Sequence, residues 1–361
     1  MTASSISSDR PHAIDRPRER TMVKFWLWFV AALVFAMVVV GGATRLTGSG
    51  LSITEWNPIM GAIPPLTHAA WEAAFAKYRE IPQFRINNPD MTLAGFQFIF
   101  WWEWSHRFLG RFIGVAFFVP FVAFLATGRI TRAELPRFLG LFVLGGLQGL
   151  VGWWMVASGL VDRISVAPYR LAIHLTLASL IFVAIATTAA TLDRPRGKPV
   201  AARTSATLLL VAVLFQIFLG ALVAGNGAGL VYNTWPSMNG ALVPPDILAH
   251  TPMWRNFFEN PATVQFIHRL GAYTVFALAI LEGVGAIARA KAGQRAGKWI
   301  AVVLLLAVAA QAGLGIATLL TMVPLDLALA HQAGAVIVLL FATLNWVAAG
   351  QGTAARRQFN R

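Results

Sequence analysis

The chain has no cysteine among its 361 residues. That excludes disulfides, iron–sulfur clusters, thiolate-ligated haem and zinc–thiolate sites. Charge is also scarce: Asp, Glu, Lys and Arg make up 12% of the residues, about half their share in an ordinary soluble domain. Acids are scarcer than bases, 15 against 29, which leaves a formal net charge of +14. In place of charge the chain is 57% hydrophobic, with a mean hydropathy of +0.64. A soluble globule cannot bury so large an apolar share, so the composition reads as an integral membrane protein.

Apolar runs long enough to cross ~30 Å of hydrocarbon fall near 23–42, 98–126, 138–158, 171–191, 206–225, 263–288, 299–321 and 326–349. The expected fold is all-α with eight transmembrane helices. If the N-terminus is cytoplasmic, nineteen Lys and Arg fall on the inner segments (among them Arg16, Arg18, Arg20, Arg194 and Arg356) and seven on the outer loops. That bias fits the positive-inside rule with both termini cytoplasmic. The basic character is therefore topology, and nucleic acid is not an expected partner. Residues 1–22 lack the apolar stretch of a secretory signal and are expected to form a disordered cytoplasmic tail, as are 351–361.

The sequence is written twice. "GSGLSITEWNPIMGAIPP" (48–65) parallels "GAGLVYNTWPSMNGALVPP" (227–245), and Gly48, Gly50, Leu51, Trp56, Gly61 and Ala62 fall on Gly227, Gly229, Leu230, Trp235, Gly240 and Ala241. Gly41 falls on Gly220, Gln148 and Gly152 on Gln311 and Gly315, and "HRFLG" (106–110) on "HRLG" (268–271). The reading is two tandem four-helix bundles, 23–192 and 204–350, joined by a cytoplasmic linker at 193–203. Four crossings per half keep the halves in the same orientation, so their pseudo-twofold axis should stand along the membrane normal.

Four of the seven histidines lie in apolar segments: His106, His174, His268 and His331, two per half. Each is expected roughly five residues past its helix start, on the order of 8 Å below the outer surface at ~1.5 Å per residue. A single membrane histidine is commonly an interhelical hydrogen bonder. Four, paired by the repeat at one depth, point to metal ligation. Zinc or copper would want further ligands, whereas two facing imidazoles suit a porphyrin iron held between helices. Two halves then imply two haem sites. Arg107 and Arg269 follow their histidines and are candidates for haem propionates, with snorkelling to the headgroups as the plainer alternative. The tryptophans of "WWEW" (101–104) and Trp153–Trp154 read as an aromatic belt. Glu103, three residues before His106 and on the same helix face, is a costly intramembrane carboxylate and so a functional candidate. The plainer alternatives are a partner that orients the imidazole or an interfacial acid in water. The counterpart of Glu103 is Gln265, and if only one half does chemistry the difference points to the N-terminal half.

The paired "HR" helices, "GGATRLTGSGLSITEWNPIMGAIPPL" (41–66), "NTWPSMNGALVPP" (233–245) and "LALAHQAGAV" (327–336) closely resemble the haem A synthase family over nearly the whole chain. The resemblance implies an enzyme of the bacterial inner membrane, acting for cytochrome c oxidase assembly. It would oxidise the C8 methyl of haem O to a formyl group by successive hydroxylations, an alcohol and then a gem-diol that loses water. It also implies that His268 and His331 hold a haem B cofactor, that His106 and His174 hold the substrate haem O, and that Glu103 takes part in turnover. The implied partners are haem O with its farnesyltransferase source, and an electron donor or acceptor; self-association is left open. Some members carry a cysteine pair in outer loops, and this chain falls with the cysteine-free branch. A diheme b-type cytochrome for electron transfer would use the same four histidines but give Glu103 no role. A haem transporter or chaperone would bind one exchangeable haem without converting it.

Overall fold

The computed structural model describes residues 16–193, 203–291 and 297–350. The expected tails, over 1–15 and 351–361, and most of the expected linker, 194–202, lie outside the described residues. Among the described residues the regular structure is helical: α1 Arg16–Leu46, α2 His68–Arg79, α3 Pro82–Asn87, α4 Leu93–Ala126, α5 Leu135–Ala157, α6 Pro168–Thr191, α7 Arg203–Gly225, α8 Asn256–Glu259, α9 Pro261–Lys291, α10 Lys298–Leu320 and α11 Leu325–Ala349. Eight of these (α1, α4, α5, α6, α7, α9, α10 and α11) are long and apolar enough to cross a membrane. They coincide with the eight expected segments, and the protein is an all-α, multi-pass membrane protein.

Local chemistry fixes the ends. Thr92 caps α4 by accepting from the Gly95 N–H at 3.3 Å, and proline occupies the first turn of α5 and of α6, where its missing N–H costs nothing. The first helix, described from Arg16 to Leu46, extends beyond the apolar run at 23–42 on both sides.

In the first half α1, α4, α5 and α6 contact one another in a closed ring; in the second α7, α9, α10 and α11 do the same. The rings meet through α1–α11, α6–α7 and α6–α11. Exchanging the halves turns the first of these contacts into the second and the third into itself. This pattern is compatible with the pseudo-twofold relation expected from the repeat.

One apolar core runs through both rings. It includes Val23, Leu27 and Val30 of α1, Phe117 and Phe121 of α4, Ile181 and Ile185 of α6, Leu209 of α7, Val275 and Ala279 of α9, Leu304 of α10, and Val336 and Leu339 of α11. On the four histidine-bearing helices, all of these core residues lie on the C-terminal side of the histidine. The packed core thus fills one end of the bundle and the histidines stand at the other.

Beyond the histidine end, residues 45–95 form a folded cap. Its helices α2 and α3 pack Phe75, Tyr78, Ile81 and Phe84 against Phe96, Ile99 and Phe100 of α4. The Tyr78 hydroxyl donates to Gln83 at 3.1 Å and accepts from Asn88 at 2.8 Å. The cap is why α4 runs for 34 residues, about 51 Å at ~1.5 Å per residue. It also corrects the expected depth from helix starts: His106 lies 13 residues after Leu93, whereas His174, His268 and His331 follow their helix starts by 6, 7 and 6.

Candidate active site

The four histidines occur as two pairs. His106 on α4 and His174 on α6 lie close enough to interact electrostatically, and so do His268 on α9 and His331 on α11. Each imidazole lies against a glycine of a neighbouring helix. A Cβ built on Gly41, Gly152, Gly220 or Gly315 would fall 2.9, 3.0, 3.2 or 2.7 Å from Cε1 of His106, His174, His268 or His331 respectively. At these four positions the absent side chain is what lets the ring lie against the helix. The glycines are the same ones that mark the sequence repeat, so the duplication preserved the ring cradles along with the rings.

Three rings share a further partner. The amide Nε2 of Gln148, Gln216 and Gln311 donates to the backbone carbonyl of His174, His268 and His331 at 3.1, 2.9 and 2.7 Å. The same nitrogens reach Nδ1 of those rings at 3.2, 3.0 and 3.0 Å. His106 is the exception, since its buried Nδ1 has no partner. The position matching Gln216 is Met37, whose methyl fills the space over Gly110 as Gln216 fills that over Gly271. The sequence repeat shows Gln148 and Gln311, but Gln216 has no repeat partner and escaped notice.

Glu103 is 2% exposed and accepts four hydrogen bonds. Arg107 donates to Oε1 from Nε at 3.0 Å and from Nη2 at 2.6 Å. The Ser52 hydroxyl and the Ile53 N–H each donate to Oε2 at 2.8 Å. Arg107 also donates to the carbonyls of Ile53 at 2.7 Å and Glu55 at 2.9 Å. Arg111 holds the carbonyls of Pro58 at 2.7 Å and Asn57 at 2.9 Å. The segment 52–58 is thereby strapped over Glu103. Ser52 was missed in the sequence because it lies more than fifty residues away and only the tertiary fold brings it to the helix.

The second half answers with inverted polarity. Gln265, 2% exposed, donates to the Tyr232 carbonyl at 3.1 Å, and Arg269 donates to the same carbonyl at 3.0 Å. Tyr232 is the repeat counterpart of Ile53, so one half presents a carboxylate to a loop N–H and the other an amide to a loop carbonyl. Arg269 Nε is buried without a partner. Arg107 has protein acceptors on all three of its nitrogens, with one of its five N–H donors unassigned.

The donor set fits a porphyrin iron. Among the described residues no three His, Cys, Asp or Glu are grouped to hold a bare metal ion. Each site offers two imidazoles on facing helices, and a porphyrin would fill the remaining four iron positions. The glycine cradles supply flat ring seats.

Comparison with known proteins gives the family. Residues 24–343 match the profile of the family described as Cytochrome oxidase assembly protein, COX15-CtaA. The chain is 54% identical over 331 residues to the Heme A synthase of Chelativorans sp. (strain BNC1), covering 91% of each chain. It is 51% identical over 348 residues to that of Mesorhizobium japonicum, covering 95% of each. It is 54% identical over 339 residues to that of Azorhizobium caulinodans, covering 93% of this chain and 95% of the relative. Matched nearly end to end at this identity, the chain belongs to the haem A synthase family of cytochrome oxidase assembly proteins.

Proposed function

We propose that this protein is a haem A synthase, a membrane oxidoreductase that converts the C8 methyl of haem O to a formyl group for cytochrome c oxidase. The observation that carries the reading is one difference between the two sites: the carboxylate of Glu103 stands beside His106, where the neutral amide of Gln265 stands beside His268. The net change at the methyl carbon removes four electrons, in two two-electron hydroxylations, and adds one oxygen.

His106 and His174 hold the substrate in the N-terminal half. Glu103, fixed by Arg107, Ser52 and the Ile53 N–H, presents its carboxylate on the same helix face as His106. A preorganised charge of this kind stabilises positive charge developing at a reacting carbon. His268 and His331 hold haem B, which supplies electron transfer between the substrate site and an external partner. Arg269 directs its unpartnered Nε, and Arg107 its remaining N–H, to propionate groups. The farnesyl tail of haem O lies on the apolar faces of α4, α5 and α6. In support, α5 is less buried within the protein than its counterpart α10, and Gly114, Gly140, Gly145, Gly146 and Gly149 have open space beside them. Both termini are cytoplasmic and both sites lie toward the outer side, as the distribution of Lys and Arg supports.

The test is co-expression with a haem O farnesyltransferase in a host that makes no haem A, followed by extraction and chromatography of the haems with mass detection. Haem A or its hydroxylated precursor is the expected product. Haem B alone, with haem O untouched and the protein fully loaded, would identify an electron-transfer cytochrome instead.

A further inference from the structure

Among the described residues, a polar contact at the seam between the halves joins the two candidate sites. Gln332, the residue after His331 on α11, donates from Nε2 to the Val38 carbonyl of α1 at 2.6 Å. In the helix ladder that carbonyl also receives the N–H of Gly42. The Gln332 amide lies directly on Gly42, where a Cβ would overlap it. Gly42 is next to Gly41, the cradle of His106. From one imidazole to the other the path is His331, Gln332, the Val38–Gly42 turn, Gly41, His106.

The mirror path is different. By the repeat, Gln332 corresponds to Leu175, which follows His174, and Gly42 corresponds to Ala221, which follows Gly220. Leu175 packs on an apolar cluster that contains Ala221 and Leu222. So, among the described residues, the seam carries an amide-to-backbone bond from the second site to the first and apolar packing on the return side. The bond arrives at the cradle of His106, the one ring without a glutamine of its own.

We infer that Gln332 is a positioning residue that couples the two sites, transmitting the state of the His268–His331 site to the cradle of His106. This rests on the proposal above that both pairs hold haem. The coupling is a free energy between sites and so must be reciprocal: filling the His106–His174 site must be felt at the haem on His268 and His331.

The test uses full-length protein with haem B as the probe at both sites. The midpoint potential of the haem on His268 and His331 is measured before and after the second site is filled, with the low-temperature spin-resonance signature of each haem recorded alongside. In the wild type, filling shifts the potential. In Gln332→Leu with Gly42→Ala, which rebuilds the apolar packing of the mirror seam, both haems stay bound and at least about half of the shift is lost. Gln332→Met, of similar length but without the amide, gives the same loss should the double variant fold poorly. Ala221→Gly on the mirror seam leaves the shift as in the wild type. Through-space repulsion between the haems is common to all variants, so the difference reports Gln332. A wild type without a shift, an undiminished shift in the variants, or an equal loss in Ala221→Gly overturns the coupling alone. Haem at only one pair, or at neither, overturns the two-site reading and the coupling with it.

Discussion

At the scale of the residue, the proposed chemistry turns on Glu103, where the second half has Gln265. Glu103→Gln should leave haem bound at both histidine pairs, because the second half shows that glutamine sits beside an arginine at this position. Production of haem A should fall by about 100-fold or more, the usual effect of removing one preorganised electrostatic group. Extracted haem A per bound haem measures this, and unchanged output would remove Glu103 from catalysis. Ser52→Ala removes one of four donors and should cost about 1 kcal/mol in that network, giving a smaller loss of output with haem content intact. The glycine cradles make a second residue-scale prediction. Gly315→Ala places a methyl 2.7 Å from the His331 Cε1 position, so the ring must move off its seat. Haem per chain should fall from two toward one, read from the pyridine haemochrome, while His106 and His174 keep theirs. Gly313→Ala, two residues away with open space around it, should keep both.

At the scale of the element, the connecting segments are held by charge. Glu259 of α8 pairs with Arg255 at 2.7 Å and with Arg163, in the connection between α5 and α6, at 3.5 Å. It therefore ties a connection of the first half to one of the second. The hydrogen bond from Arg255 holds the Glu259 carboxyl below the usual carboxylate range; burial opposes this, and the charges of Arg255 and Arg163 add to it. A depressed folded-state pKa means that this stabilisation is complete above the unfolded value, about 4.3 for Glu, and is lost as the pH falls through the folded value. Glu259→Gln should therefore cost at most about 1 kcal/mol at neutral pH. The gap between variant and wild type should close in acid, as measured by thermal unfolding in detergent at pH 7 and below pH 4. A gap that is independent of pH would show that packing, and not the ion pairs, holds α8. The strap over Glu103 follows the same logic. Arg111→Ala frees the carbonyls of Asn57 and Pro58 and should raise the rate of proteolytic cleavage within 55–63.

At the scale of the whole molecule, the two halves share a ring of four helices, and the proposed function gives each a different task. Replacing both His268 and His331 with alanine should leave one haem per chain and abolish haem A formation. Replacing both His106 and His174 should also leave one haem, of type B only, as chromatography of the extracted haems would show. Eight crossings return the chain to the side on which it began, so a fluorescent reporter fused after Arg361 should mature in the cytoplasm and a periplasmic phosphatase fused there should stay inactive. The eight spans, the internal duplication, the two histidine pairs and the Glu103/Gln265 difference were all legible in the chain. Hydrophobic runs fix spans because lipid leaves the backbone no hydrogen-bond partner outside a helix, and a repeat is visible wherever both copies keep the same residue. The partners of those residues were not legible. Ser52 and Ile53 reach Glu103 across about fifty positions, Gln216 reaches His268 across 52, and Gln332 reaches Val38 across 294. Nor did the helix starts give the depth of His106, because the α2–α3 cap that lengthens α4 packs through contacts between separate segments. The sequence by itself determined which long apolar helices form and which side chains can ligate or carry charge, since these depend on local composition and spacing. Only the tertiary structure decided which glycine seats each ring, which donors hold Glu103 and which residue bridges the halves, because those contacts exist only once distant helices pack.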